Sequence, residues 1–568
     1  MWFTKVTVGC LLGLTSLALA TPVEPKNERR FAKVTVAYPE GTVVGRSLLG
    51  TETFASIPFA EPPVGDLRLR PPVRFSGTLK DHDGTGISPA CPQQYVDTDA
   101  KDLISKVGSI ALQIPLLQQL TGQEDCLKIT VQRPAGTKAG DNLPVLFWIY
   151  GGGFVLGATN TYDATQFLET AVAQGQPFVF VAVNYRLNGF GFLAGKEILD
   201  AGSANLGLLD QRMGMEWVAD NIESFGGDPD KVTIWGESAG SISVFDQLLL
   251  YGGNATYNGR PLFRGAIMNS GSIIPADSTD SFPAQEVYDG VVEKAGCSGA
   301  ADSLNCLRQV PYDTFYDAAT SAPGIVALNK LTLTFVPRPD GRVLVDSPDA
   351  MAKQGQFYQT PIIIGNQEDE GTVFSIVLPK LRTTERIVNF VSENVLRSAP
   401  KDLIRQFVDL YPTSIFAGSP FRTGIFNELF PGFKRLSAFL GDAVLTLSRR
   451  VALRYMHAAK PDMKCWSYLA SYYYGTPVLG TFHGSDVLQI FYGTSASHAT
   501  RSIRTYYLNF IHNVDPNKGV EKYATWPLWG EGNKLMWFKT MFENDLLEDD
   551  FRQESADFLE QNAESFLF

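Results

Sequence analysis

Six stretches of the chain are apolar and rich in β-branched residues, with no polar alternation: 143–150, 178–185, 232–235, 265–268, 361–364 and 465–469. A strand with one wet face alternates polar and apolar side chains, so these unbroken runs predict parallel strands buried on both faces. Between them the periodicity becomes helical. Over 205–222, Leu208, Leu209, Met213, Met215, Trp217 and Val218 fall on one wide apolar face. Strands alternating with helices predict an α/β fold, a large central, mostly parallel sheet flanked by helices. No internal repeat, low-complexity linker or shift in composition marks a second domain, so 31–568 reads as one domain.

The 568 residues are 44% apolar, enough for a large core. Net charge is −12 with no basic block, which leaves a nucleic-acid partner without electrostatic support. Residues 1–20 carry Lys5, an apolar run and the ending Ala18-Leu19-Ala20, the pattern of a secretory signal peptide. Loss of Lys5 with that segment would make the mature charge −13. Residues 21–30, ending in Arg29-Arg30, read either as a short propeptide removed at a dibasic site or as a frayed terminus with two surface arginines. No later stretch approaches the roughly 20 apolar residues of a membrane-spanning helix. The chain therefore reads as secreted. In an oxidising compartment the economical pairings are Cys91–Cys126 and Cys297–Cys306, with Cys465 left as a buried thiol in a strand. Asn254-Ala255-Thr256 is the single glycosylation sequon, in a stretch that reads as an exposed loop.

The chemistry starts at 232–240. The apolar run Val232-Thr233-Ile234-Trp235 leads into Gly236-Glu237-Ser238-Ala239-Gly240 and then a helical pattern, the strand, sharp turn and helix of a nucleophile elbow. A serine in so tight a turn needs glycines two positions before and after it, or strand and helix collide. Ser238 also needs a base, because its hydroxyl must lose a proton as it attacks. Of the five histidines, His457 reads as a helix residue. His82 and His512 read as polar loop residues far from any strand end, and His498 follows a Ser- and Ala-rich stretch. His483 follows a late strand through a glycine-containing loop, where such a base belongs. The third member, a carboxylate between serine and histidine in chain order, is Glu368, Asp369 or Glu370 at the exit of the 361–367 run. The residues alone do not choose among the three. Gly151-Gly152-Gly153 at the exit of 143–150 offers unobstructed N–H groups for an oxyanion, joined by that of Ala239.

These motifs resemble the type-B carboxylesterase/lipase family, which includes the cholinesterases. The likeness is carried by Glu124-Asp125-Cys126-Leu127, Asn184-Tyr185-Arg186, the run 205–212, Phe225-Gly226-Gly227-Asp228-Pro229, Gly236-Glu237-Ser238-Ala239-Gly240, Asp369-Glu370-Gly371-Thr372 and His483-Gly484. It implies the α/β-hydrolase fold, Glu370 as the acid and His483 as the base. It also implies an oxyanion hole of Gly152, Gly153 and Ala239, both disulfides, and a mechanism without metal or cofactor. Within the family the likeness is greatest to fungal lipases and sterol esterases, through Ser419-Pro420-Phe421, Pro431-Gly432-Phe433-Lys434-Arg435 and Asp515-Pro516-Asn517. The activity implied is hydrolysis of lipid esters through an acyl-enzyme.

Ten of the eighteen residues in 103–120 are apolar, inside the insert closed by Cys91–Cys126. One reading of this segment is that it packs permanently on the body as core; matching the family, the insert (about 91–126) is instead expected to be a lid that hides its apolar face in water and turns it out at a lipid surface. Micelle or droplet interfaces would then be partners, and two chains could pair lid to lid as a homodimer. Phe374, Ile376, Val377, Leu378, Phe416, Phe421, Phe426, Phe430 and Phe433 are expected to serve as walls of an acyl tunnel or as core. Two other readings stand beside this one. The first is a short-chain carboxylesterase of the same fold. The second is a non-catalytic, cholinesterase-like interaction module, against which the intact Ser238, Glu370 and His483 count.

Overall fold

The computed structural model describes residues 30–37, 39–94, 120–322, 324, 330–493 and 496–568. The expected signal segment 1–20, most of 21–30 and residues 95–119 of the expected lid lie outside the described residues. The strands are β1 (Arg30–Ala37), β2 (Glu40–Leu48), β3 (Thr51–Pro58), β4 (Lys80–Asp83), β5 (Lys128–Pro134), β6 (Leu143–Ile149), β7 (Val179–Val183) and β8 (Gly227–Glu237). They continue with β9 (Thr256–Tyr257), β10 (Arg260–Pro261), β11 (Gly265–Asn269), β12 (Ile362–Gln367), β13 (Cys465–Ala470), β14 (Lys534–Phe538) and β15 (Asp545–Glu548). All but the small β9–β10 ribbon join one sheet, in the order β1-β2-β3-β5-β7-β6-β8-β11-β12-β13-β14-β15, with β4 beside β2.

The middle of the sheet, from β7 to β14, is parallel, and all its strands but β14 are the apolar runs of the sequence; β14 has an exposed first residue and is not among them. Every residue of β7, β11, β12 and β13 is buried, because helices cover both faces. The flanks differ. β1, β2, β3, β5 and β7 are joined antiparallel, as are β14 and β15. Among them β2 mixes exposed and buried positions, as a strand with one wet face does, so it leaves no continuous apolar run to find. The expected helix appears as Leu206–Asn221, with Leu208, Met215, Trp217 and Val218 buried.

The parallel strands position the loops that leave their carboxyl ends. β6 lies between β7 and β8, so the chain's winding reverses there, and crevices at the carboxyl ends of strands open at such points. Ile149 of β6 pairs with Gly236 of β8, which puts the glycine run 151–153 beside Ser238. Gln367 of β12 pairs with Ala470 of β13, and Asp369 bridges to Phe482, which brings the carboxylate loop alongside His483. Four loops distant in sequence thus meet at one rim.

Both disulfides are formed, Cys91–Cys126 with Cα atoms 4.9 Å apart and Cys297–Cys306 with Cα atoms 5.8 Å apart. Cys465 is buried in β13, where burial pushes its thiol up to about 12. The start of the segment closed by Cys91–Cys126 is anchored next to the glycine run: Gln94 N–H donates to Val155 O (2.8 Å) and its side-chain amide to Thr320 O (3.0 Å).

Candidate active site

β8 ends at Glu237, the helix Ala239–Gly253 begins at once, and Ser238 alone makes the turn. Its backbone is left-handed in φ (57°) with ψ at −125°, and it is held there by a hydrogen bond from its N–H to Asn269 O (2.9 Å). A non-glycine residue in this conformation is strained and persists only where the surroundings over-determine it. The glycines explain how. A Cβ on Gly236 would lie 2.2 Å from Gly240 O, and one on Gly240 would lie 2.0 Å from Ile149 O. Either clash is with backbone, which cannot swing aside. Gly236→Ala or Gly240→Ala is therefore expected to destabilise the fold by roughly 1–3 kcal/mol or more. A thermal midpoint equal to the parent's would sink this account of the elbow.

The three successive carboxylates have separate tasks. Glu368 pairs with Arg422 at the surface. Asp369 is 1% exposed and accepts from Ser419 Oγ (2.8 Å), Phe421 N (3.0 Å) and Thr481 N (2.9 Å), so it ties three backbone segments together. Burial raises its carboxyl to about 7. Glu370 alone reaches the histidine: its Oε2 lies 2.6 Å from His483 Nδ1. Its Oε1 accepts from Gln367 N (2.8 Å) and Asn366 Nδ2 (3.1 Å), which fixes the carboxylate against its partner's ring nitrogen.

His483 Nε2 is buried and has no hydrogen-bond partner among the described residues. Ser238 Oγ is likewise without one among them. The two side chains share the wall of one cavity with Gly153 and Ala239, and its remaining lining is largely apolar: Leu331, Leu333, Val336, Phe374, Leu440 and Val444. No acceptor takes the N–H of Gly152, Gly153 or Ala239 among the described residues. Gly152 and Gly153 have φ of 119° and 59°, and a Cβ on Gly152 would lie 2.0 Å from Leu156 O. Glycine is required there for the backbone amides to turn in.

The other histidines lie elsewhere. His82 is in β4, not in a loop, and His512 is in the helix His498–Asn513 with His498 at its first residue. His457 is in the helix Leu447–Ala459, as its pattern predicts. Asn254 is exposed, and its Oδ1 accepts from Thr256 Oγ1 (2.5 Å). Phe374 lines the cavity and Ile376, Val377, Leu378 and Phe433 are core, whereas Phe416 and Phe426 are largely exposed and neither lines the cavity of Ser238 and His483; Phe416 lines a separate one with Tyr411 and Phe421.

A fourth acid, Glu237, joins the site without having been singled out in the sequence. It is buried, with Oε1 3.3 Å from His483 Nε2 but not aligned for a hydrogen bond. Its place next to Ser238 on the same strand end is a signal, but side-chain direction in the turn is not readable from sequence. Burial lifts its carboxyl to about 8, against the attraction of His483. Burial by itself would lower the His483 imidazole, but Glu237 and then Glu370 outweigh it and raise it to about 9. A histidine acting as base must be neutral, so activity is expected to rise with pH through this ionisation. Glu237→Gln removes the largest raising influence and should shift the acid limb of the kcat/KM profile to lower pH. A limb that stayed in place or moved up would exclude Glu237 as its cause.

The comparisons with known proteins agree with this architecture. The crystal structure of Aspergillus niger EstA superposes with a TM-score of 0.79 at 24% identity, covering 95% of this chain and 99% of that one. PNB esterase superposes at 0.71 with 26% identity, covering 93% and 99%. A secreted triacylglycerol lipase of Gibberella zeae is 58% identical over 95% of this chain and 92% of its own. A secreted lipase of Botryotinia fuckeliana is 48% identical over 99% of this chain and 100% of its own. The carboxylesterase family model matches residues 32–559, a span that carries all the strands from β2 to β15 and every loop of the rim. The chain belongs to the carboxylesterase family.

Proposed function

We propose that this carboxylic-ester hydrolase is secreted and acts on lipid esters, triacylglycerols and sterol esters, through a Ser238–His483–Glu370 triad. The observation that carries the reading is the 2.6 Å contact of Glu370 with His483 Nδ1, which leaves Nε2 unbonded on the wall shared with Ser238. Ser238 Oγ attacks the ester carbonyl while His483 Nε2 takes its proton. Catalytic hydrogen bonds that are loose in a free enzyme tighten when substrate fills the space. The N–H groups of Gly152, Gly153 and Ala239 hold the oxyanion, and the alcohol leaves with the proton from His483. Water, deprotonated by the same nitrogen, then releases the fatty acid from Ser238. Glu370 holds the imidazole in the tautomer this needs and stabilises the imidazolium.

The largely apolar cavity wall supports an acyl chain rather than a polar acid. The names of the Gibberella and Botryotinia relatives support a secreted lipase. Among the described residues no helix is long and apolar enough to cross a membrane. The working chain is one domain, residues 31–568, after loss of 1–20 and 21–30, with a glycan on Asn254. The 91–126 insert is its lid, through which two chains pair as a homodimer in the absence of lipid.

Rates on triolein, cholesteryl oleate and a soluble butyrate ester, measured side by side, test the reading. Replacing Ile110, Leu112 and Leu116 together with serine should lower the two lipid rates far more than the butyrate rate, because each loses roughly 25 cal/mol per Å² of apolar area. An unchanged ratio would favour a short-chain carboxylesterase.

A further inference from the structure

Phe416 and Phe426 belong to a larger exposed group. Ile415, Phe416, Ile425, Phe426 and Leu429 are 45%, 68%, 52%, 72% and 39% exposed. Their display is built. Lys434 is 1% exposed, and its ammonium donates to Ile415 O (3.3 Å), Thr423 Oγ1 (3.0 Å) and Gly424 O (2.8 Å). One buried cation thus gathers the polar atoms of both arms of the loop inward, and the neighbouring apolar side chains are left outside. Glu428 caps Gly432 N and Lys434 N, and Asn427 Oδ1 accepts from Val478 N (3.0 Å). Arg422 and Asn427 hold left-handed backbone, with φ of 62° and 69°.

The loop is rooted beside the triad. Glu368 is paired with Arg422, and Asp369 holds Ser419 and Phe421. The next residue is Glu370. The base of the loop is therefore fixed to the strand exit that also carries Glu370. Residues 412–418 and 423–427 contain no Asp, Glu, Lys or Arg, and the two charges between them and the following helix, Arg422 and Glu428, are both engaged. The molecule around this uncharged tip carries −12. An anionic surface would repel it. A transient protein interface is as polar as ordinary surface, which this tip is not.

We propose that the 412–429 loop docks the enzyme onto an uncharged lipid–water interface and so holds the cavity mouth against it. The inference rests on the lipid-ester reading above and adds a contact surface made by residues other than those of the insert.

The test uses the full chain carrying Ser238→Ala, so that the surface is not consumed, with and without Phe416→Asp and Phe426→Asp. Partition onto phosphatidylcholine-coated triolein droplets is measured by flotation. The two aspartates should lower the partition coefficient at least tenfold, equivalent to about 1.4 kcal/mol. With Ser238 restored, the aspartate pair should keep kcat/KM for the soluble butyrate ester within about twofold, which certifies the fold. Should it not, Phe416→Ser with Phe426→Ser replaces it, and a threefold loss of partition is expected. Unchanged partition would overturn the proposal. So would a dimer, seen by sedimentation, that the substitutions dissociate while partition stays the same, since the face would then belong to a second copy. If the chain with Ser238 intact fails to hydrolyse triolein while the Ser238→Ala chain still partitions through this loop, the substrate reading falls and the docking surface stands.

Discussion

Ser238→Ala is expected to give a folded protein whose ester hydrolysis falls about a million-fold, as loss of the nucleophile does in other serine triads. The substitution is clean because both residues carry a Cβ. The left-handed φ of 57° is no more strained for alanine than for serine, and the hydrogen bond from the backbone N–H to Asn269 O is kept. Among the described residues Ser238 Oγ makes no hydrogen bond that stability would miss. A thermal midpoint matching the parent's, together with loss of acyl-enzyme formation in single-turnover assays, is the expected pair of results. Activity of more than a few per cent would mean that another group attacks the ester.

Glu370→Gln is expected to lower kcat by about four orders of magnitude on soluble and lipid esters alike. The amide can still occupy the site between Gln367 N, Asn366 and His483, but it presents an N–H where the ring needs an acceptor, or else an oxygen without charge. His483 then settles in the wrong tautomer and loses the partner of its positive form. Glu368→Gln should change kcat less than about threefold, because it breaks only a pair with the half-exposed Arg422, worth at most about 1 kcal/mol. Steady-state kinetics of both variants decides the matter. A reversed order would remove Glu370 from the triad.

The three carboxylates show where reading by residue stops. All follow one strand exit, all precede His483, and all have the charge that orients an imidazole. Their separation comes from what β13 and the 419–421 segment bring alongside. Asp369 meets three donors and becomes a tether, Glu368 meets Arg422, and only Glu370 is turned toward the ring. Family resemblance singles out the same residue.

The chain by itself determined the parallel core, since strands buried on both faces must be continuously apolar. It determined the elbow as well, since strand, Gly-x-Ser-x-Gly turn and helix are consecutive and Gly236 is demanded by Gly240 O of the same turn, although the clash that demands Gly240 is with Ile149 O of β6. Both are patterns written in consecutive residues. The antiparallel flanks, the placement of Glu237 against His483 Nε2 and the outward display of Phe416 and Phe426 were decided only by the tertiary structure. Each depends on what the fold brings alongside: a neighbouring strand, a histidine 246 positions later or the buried ammonium of Lys434. An aromatic residue reads the same whether it faces core or water, and here the carbonyls gathered by one lysine set its direction.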